Sequence, residues 1–151
     1  MAGKTDVFEN DSLKLEFNNT PISLIGDAPG IQGSATVGNL YISLHTADPT
    51  DAGTQLTNEA NYTSYARVAT PRTTAAWTVS TDVSGVTKVS PTVTISFPTA
   101  TGGTSTPTHF GVGTAPSGAG KLMYVGTLSP VVTITNGITP QLTTATAIVV
   151  D

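Results

Sequence analysis

The chain has 151 residues, a formal charge of −4 and no cysteine. That length suits one domain burying about 68–70% of the surface its unfolded chain would expose, and the missing thiols exclude a disulfide framework and any thiolate metal site. The six basic residues, Lys4, Lys14, Arg67, Arg72, Lys88 and Lys121, form no stripe for a phosphate backbone, and no apolar run nears the roughly 18 residues of a membrane span, so neither nucleic acid nor membrane is an expected partner.

Charge divides the chain into two zones. Asp6, Glu9, Asp11, Glu16 and Asp27 crowd the first 27 residues, whereas Lys121 is the one charged residue between Val89 and Val150. In the first zone Asp6 stands three residues before Glu9 as a candidate capping box, with Phe8, Ser12 and Leu15 on one helical face, and the pattern predicts a short helix. The competing reading is a strand, because Leu13, Leu15 and Phe17 alternate with period two. Residues 20–38, TPISLIGDAPGIQGSATVG, carry two prolines and four glycines with little periodicity, and read as an ordered loop, a connector or an arm reaching a neighbouring subunit. The expected division is a helix and arm over 1–38 and a β-sandwich over 39–151.

From Asn39 the strand signal sharpens. Leu40, Ile42 and Leu44 alternate with Tyr41, Ser43 and His45, which predicts a strand with one buried face. Pro49, Asp51 and Gly53 end it with turn chemistry, and TQLTNEANYTS reads as a surface loop. Further strands are predicted over 65–69, 77–80, 92–97, 109–113, 122–128, 131–135 and 144–150, with Asn136-Gly137 the sharpest hairpin signal. Short strands separated by Gly, Pro or Asn-Gly argue for an all-β, antiparallel single sandwich, jelly-roll or immunoglobulin-like, rather than βαβ units. There is no fixed-period repeat.

Nothing in the chain assembles a reaction centre on paper. GTAPSGAGKL, residues 113–122, departs from a phosphate loop: Ala115 stands where Gly is needed, Leu122 replaces the magnesium-holding Ser or Thr, and strands follow instead of a helix, so a hairpin turn is the better reading. His45 and His109 lie on strands without a carboxylate at ligand spacing and read as structural histidines. Asp48, Asp51 and Glu59 lack the EF-hand pattern and read as ordinary loop residues. No GxSxG elbow exists, and the acceptor patterns at Asn18 and Asn61 carry no weight without a secretory signal, for which MAGKTDVFENDSLKLEF offers no apolar core. With only nine aromatics, most are needed as core rather than as a sugar platform, and Trp77 and Phe97 are expected to point inward. No catalytic, cofactor-binding or metal-ligating residue is assigned, and no cofactor is expected.

The segment NLYISLHTADPTDAGTQLTNEANYTSYARVATPRTTAAWTV, residues 39–79, resembles one found in small structural proteins of tailed bacteriophages and prophages, with a strand of the LYxSLHTADP type followed by GTQxTNExxYxxYARV and a WTV strand. FPTATGGTSTPTHFGVGTAPSGAGKLMYVGTL, TNGITPQ and the opening FENDSLKLEFNNTPI extend the likeness over nearly the whole chain, with Ser12 and Glu16 standing where apolar residues facing a core are expected. Members of this family are labelled tail-fibre-like or virion structural proteins, and some phage particles carry small β-domains as shell decoration. The resemblance implies a non-enzymatic virion component made in the host cytoplasm. The leading expectation is a capsid decoration or cement protein contacting the major capsid protein, as a homo-oligomer with a trimer favoured, with the 1–38 arm as its clasp; Thr- and Ser-rich, charge-poor strands suit burial in subunit contacts. The alternative is a tail fibre, baseplate or tail-associated module, after which come a host-glycan binder and, last, a hydrolase. Tyr65 and Arg67 share a strand face, so Arg67 is expected to pair with Asp48 or Glu59 and pin the 46–64 loop, against the reading of a solvated edge arginine.

Overall fold

In a computed structural model describing residues 3–150, the opening segment folds as helix α1, Asp6–Asn18, and not as a strand. The side chains it buries explain the choice: Glu9, Leu13 and Phe17, four residues apart, line one helical stripe, while Leu15 is only half buried. The expected capping box is absent. Thr5 is the N-cap without a side-chain hydrogen bond, and Asp6 and Glu9 occupy the first turn, where the helix dipole favours negative charge. Phe8 lies on the exposed side, so the face expected from Phe8, Ser12 and Leu15 is not the packed one.

The described strands, in chain order, are β1 Asn39–His45, β2 Val68–Pro71, β3 Trp77–Thr81, β4 Thr87–Pro91, β5 Ile95–Ser96, β6 His109–Gly113, β7 Leu122–Thr127, β8 Gln141–Leu142 and β9 Ile148–Val150. They form antiparallel sheets, an all-β fold consistent with a sandwich, to which α1 adds the single described helix. Two compact units emerge. One is drawn from the stretches up to residue 39, 71–94 and from 143 on, the other from 40–70 and 95–142.

In the first unit α1 packs on the sheet β3-β4-β9. Phe17 meets Trp77 edge-on, with ring centroids 5.0 Å apart, and Leu13, Val89 and Ile148 complete the core. The helix stops at Asn19, in the left-handed conformation at φ 56°, and Thr20 N–H turns back to the Lys14 carbonyl. Arg72 covers the freed carbonyls: its Nε donates to Glu16 O and its Nη2 to Leu15 O, both at 2.6 Å, while Nη1 reaches Ser34 Oγ at 3.0 Å. A cation at the negative end of the helix thus also ties down the following loop. Asn19 adds a two-point clasp to the Ser34 backbone, at 2.9 and 2.7 Å. The 20–38 segment is therefore an ordered loop rather than a loose connector.

In the second unit the sheet runs β2-β1-β6-β7, beside the short pair β5-β8. Leu40, Ile42 and Leu44 are buried as predicted, but so are Ser43 and His45, both fully. The expectation of one buried face on β1 fails because the 46–64 loop folds over the other face. Sequence periodicity located β3, β6 and β7 to within a residue or so, but missed β4 and β8, and the predicted 65–69 strand begins only at Val68. The predicted strand over 131–135 is a single bridge, Ile134 to Ser105, and Asn136-Gly137 makes a turn, closed by Ile138 N–H on Thr135 O, whose flanks pair with other segments instead of each other. Trp77 and Phe97 point inward.

Candidate functional site

The residues that carry the strongest sequence motif converge on one polar cluster in the second unit. Arg67, whose side chain is 2% exposed, grips Glu59 with two hydrogen bonds, Nε to Oε1 at 2.6 Å and Nη2 to Oε2 at 2.8 Å. The fork continues beyond the carboxylate, with Nη1 donating to Ala115 O at 2.9 Å and Nη2 to Gly118 O at 2.7 Å. Of the two carboxylates offered by the sequence, Glu59 is thus the partner, and the solvated-edge reading of Arg67 is excluded. Asp48 instead accepts from its own turn, Thr50 N–H to Oδ1 at 2.9 Å.

Tyr65 adds a third tie to the same carboxylate. Its hydroxyl donates to Glu59 Oε1 at 2.9 Å and accepts Leu44 N–H at 3.1 Å, and burial pushes it far above the usual tyrosine range, so it remains a donor. Gln55, fully buried, bridges the same segments: its Nε2 donates to Tyr41 O at 3.3 Å and its Oε1 accepts Ala115 N–H at 3.0 Å. Space for it exists only because Gly113 and Gly120 have no side chain, since a Cβ on either would lie 2.2 Å from a Gln55 atom. Together Arg67 and Gln55 hold the β6-β7 hairpin turn that the sequence disguises as a phosphate loop. Its backbone groups are consumed by protein contacts.

Ser43 Oγ and His45 Nε2 lie 2.8 Å apart, and His45 Nδ1 lies 2.8 Å from Thr57 O. A carbonyl only accepts, so Nδ1 carries the proton and Nε2 accepts from the serine. Burial lowers the His45 pKa, with the hydrogen bond to Thr57 and the charge of Glu59 opposing, which keeps the ring neutral. The arrangement copies the hydrogen bonding of a nucleophile and base, yet both side chains are sealed from solvent. The opposing Gly111 closes the space further: a Cβ there would sit 2.6 Å from Nε2 and 2.8 Å from Ser43 Oγ. The pair fixes the loop to the strand. His109 faces His45 across β1 and β6 and meets Thr108 Oγ1 at 2.9 Å. Among the described residues no three His, Cys, Asp or Glu side chains converge as metal ligands.

The second unit also holds an open apolar groove of about 180 Å³, lined by Leu44, Phe97, Pro107, Ile134, Pro140 and Leu142 among others. No ionisable residue lines it, and Val131, Val132 and Ile138 are exposed around it. Sequence reasoning missed this feature because its walls come from prolines and short segments with no periodicity.

No individual curated protein matches the chain. The sequence model of one family, described as Podophage GP4 fiber I protein gp80, matches residues 29–150, and the chain belongs to that family. It is a phage structural protein of the tail-fibre-like kind that the residue 39–79 resemblance implied, and hence a virion component. No helix among the described residues is long and apolar enough to cross a membrane.

Proposed function

We propose that the chain is a non-enzymatic structural subunit of a phage fibre, in contact with other tail components rather than with the major capsid protein. The observation that carries this reading is the family match across residues 29–150, whose description is that of a fibre protein. It favours the tail alternative over the shell decoration expected from composition. The polar cluster supports a structural role, because Glu59, Arg67, Tyr65, Gln55, Ser43 and His45 spend their hydrogen bonds on one another and on the backbone. What they build is a rigid base for the β6-β7 hairpin, suited to a particle part that transmits load. Immunogold labelling of intact virions tests the location: label on the fibres supports the reading, and label spread over the head returns the chain to the shell.

A further inference from the structure

Loop 20–38 contains a closed sub-loop with an apolar tip. Ile22 and Ile31 exchange N–H to carbonyl bonds at 2.9 Å each way, and Gly30 N–H donates to Asp27 Oδ1 at 2.9 Å. Gly30, at φ 67°, cannot carry a side chain, since its Cβ would lie 1.9 Å from the Ile22 carbonyl oxygen. The closure presents residues 23–26 as a tip. There Leu24 adopts φ 65°, a left-handed conformation uncommon for any residue but glycine, asparagine or aspartate, and it is 80% exposed with Ile25 exposed beside it. Backbone strain that ends in a solvated leucine brings the isolated chain no packing in return, which is the signature of strain kept for a contact.

We propose that the apolar groove of the second unit receives the Leu24–Ile25 tip of a second copy of this chain. Three properties of the groove select this occupant. Its volume, about 180 Å³, is below the roughly 300–1,000 Å³ of small-molecule sites and suits one or two aliphatic side chains. Its electrostatics match: the groove has no ionisable lining residue and residues 20–26, TPISLIG, carry no charge, so the two surfaces desolvate together without stranding an ion. A sugar or charged peptide would find little beyond Thr139 and Gln141 to bond. The buried area sets the third condition. One tip falls well short of the roughly 800 Å² per partner of a standard interface, so a two-chain contact through one tip is weak. Each copy offers one tip and one groove, and a head-to-tail ring uses both on every subunit, doubling the contact each makes. This inference rests on the two surfaces and is independent of where on the particle the chain sits.

The test is sedimentation velocity on the full chain together with two single variants at exposed positions, Leu24→Asp and Val132→Glu. The wild type is expected to form a closed oligomer, and each variant alone to run as a monomer with an unchanged circular dichroism spectrum. Mixing them is expected to restore a one-to-one pair, because Leu24→Asp keeps its groove and Val132→Glu keeps its tip. The natural absence of cysteine allows a check that survives any loss of stability: Leu24→Cys mixed with Val132→Cys and oxidised is expected to give the mixed cross-linked dimer in preference to either homodimer. A wild type that stays monomeric at all concentrations, variants that associate like the wild type, or cross-links without preference for the 24–132 pair would each overturn the proposal.

Discussion

Replacing Arg67 with Ala removes the centre of the polar cluster and leaves its partners in place. Glu59, with a side chain 13% exposed, keeps the Tyr65 hydroxyl but loses both guanidinium bonds, and the carbonyls of Ala115 and Gly118 lose their donor. Breaking a buried pair from one side costs about 3–5 kcal/mol, because the remaining charge has been moved from water without compensation. In urea, with a slope of about 2 kcal/mol per molar, that loss moves the unfolding midpoint down by about 2 M. The double variant Glu59→Ala/Arg67→Ala is expected to lose less than the sum of the single changes, since it leaves no orphaned charge. The local consequence is separately measurable. Residues 46–66 contain no Lys or Arg, so chymotrypsin, cutting at Leu56, Tyr62 or Tyr65, is the suitable probe, and cleavage there should accelerate in the variant. A midpoint shift under about 0.5 M with unchanged cleavage would mean that the cluster does not hold the loop.

Three further expectations follow from the same geometry. Gly113→Ala places a methyl 2.2 Å from Gln55 Cδ and should cost about 1–3 kcal/mol by urea melting, with Gln55→Ala on top of it adding less than its own single-variant cost. His45 has a folded pKa below 6.5, so the unfolded chain takes up the proton first; its contribution is fully present above 6.5 and is lost as pH falls through that value toward the folded pKa, at no more than about 1.4 kcal/mol per pH unit. Urea midpoints across that range should show the fall in the wild type and a smaller one in His45→Gln; equal falls would assign it to other groups. Phe17→Ala removes the ring set against Trp77 and should lower stability by about 3–5 kcal/mol, while Phe8→Ala, on the exposed side, should stay within about 0.5 kcal/mol, in thermal melts of both.

Much of the fold was legible where one periodicity was strong and local. β6 was located to the residue and β3 within one, because their apolar and small residues alternate between turn signals. The helix was legible but its face was not: Phe8 looked like its anchor, while the sheet receives Glu9, Leu13 and Phe17. β4, rich in Thr, Lys and Ser, gave no alternation of hydrophobic residues, and its pairing between β3 and β9 depends on segments some sixty residues apart. The same non-locality hid the second buried face of β1, where Ser43 and His45 look like surface residues until the 46–64 loop covers them. In the polar cluster the Arg67 pairing was readable from two residues sharing a strand face. Gln55 was not, because its role depends on two glycines about sixty residues away whose missing side chains make its pocket.

The central claim, a fibre subunit, is tested most directly by the copy number of this protein relative to the major capsid protein in purified virions. The account predicts a few to a few dozen copies per particle, as expected of fibres at a tail or vertex. Hundreds of copies, in a fixed ratio to the shell subunits, would contradict it and restore shell decoration.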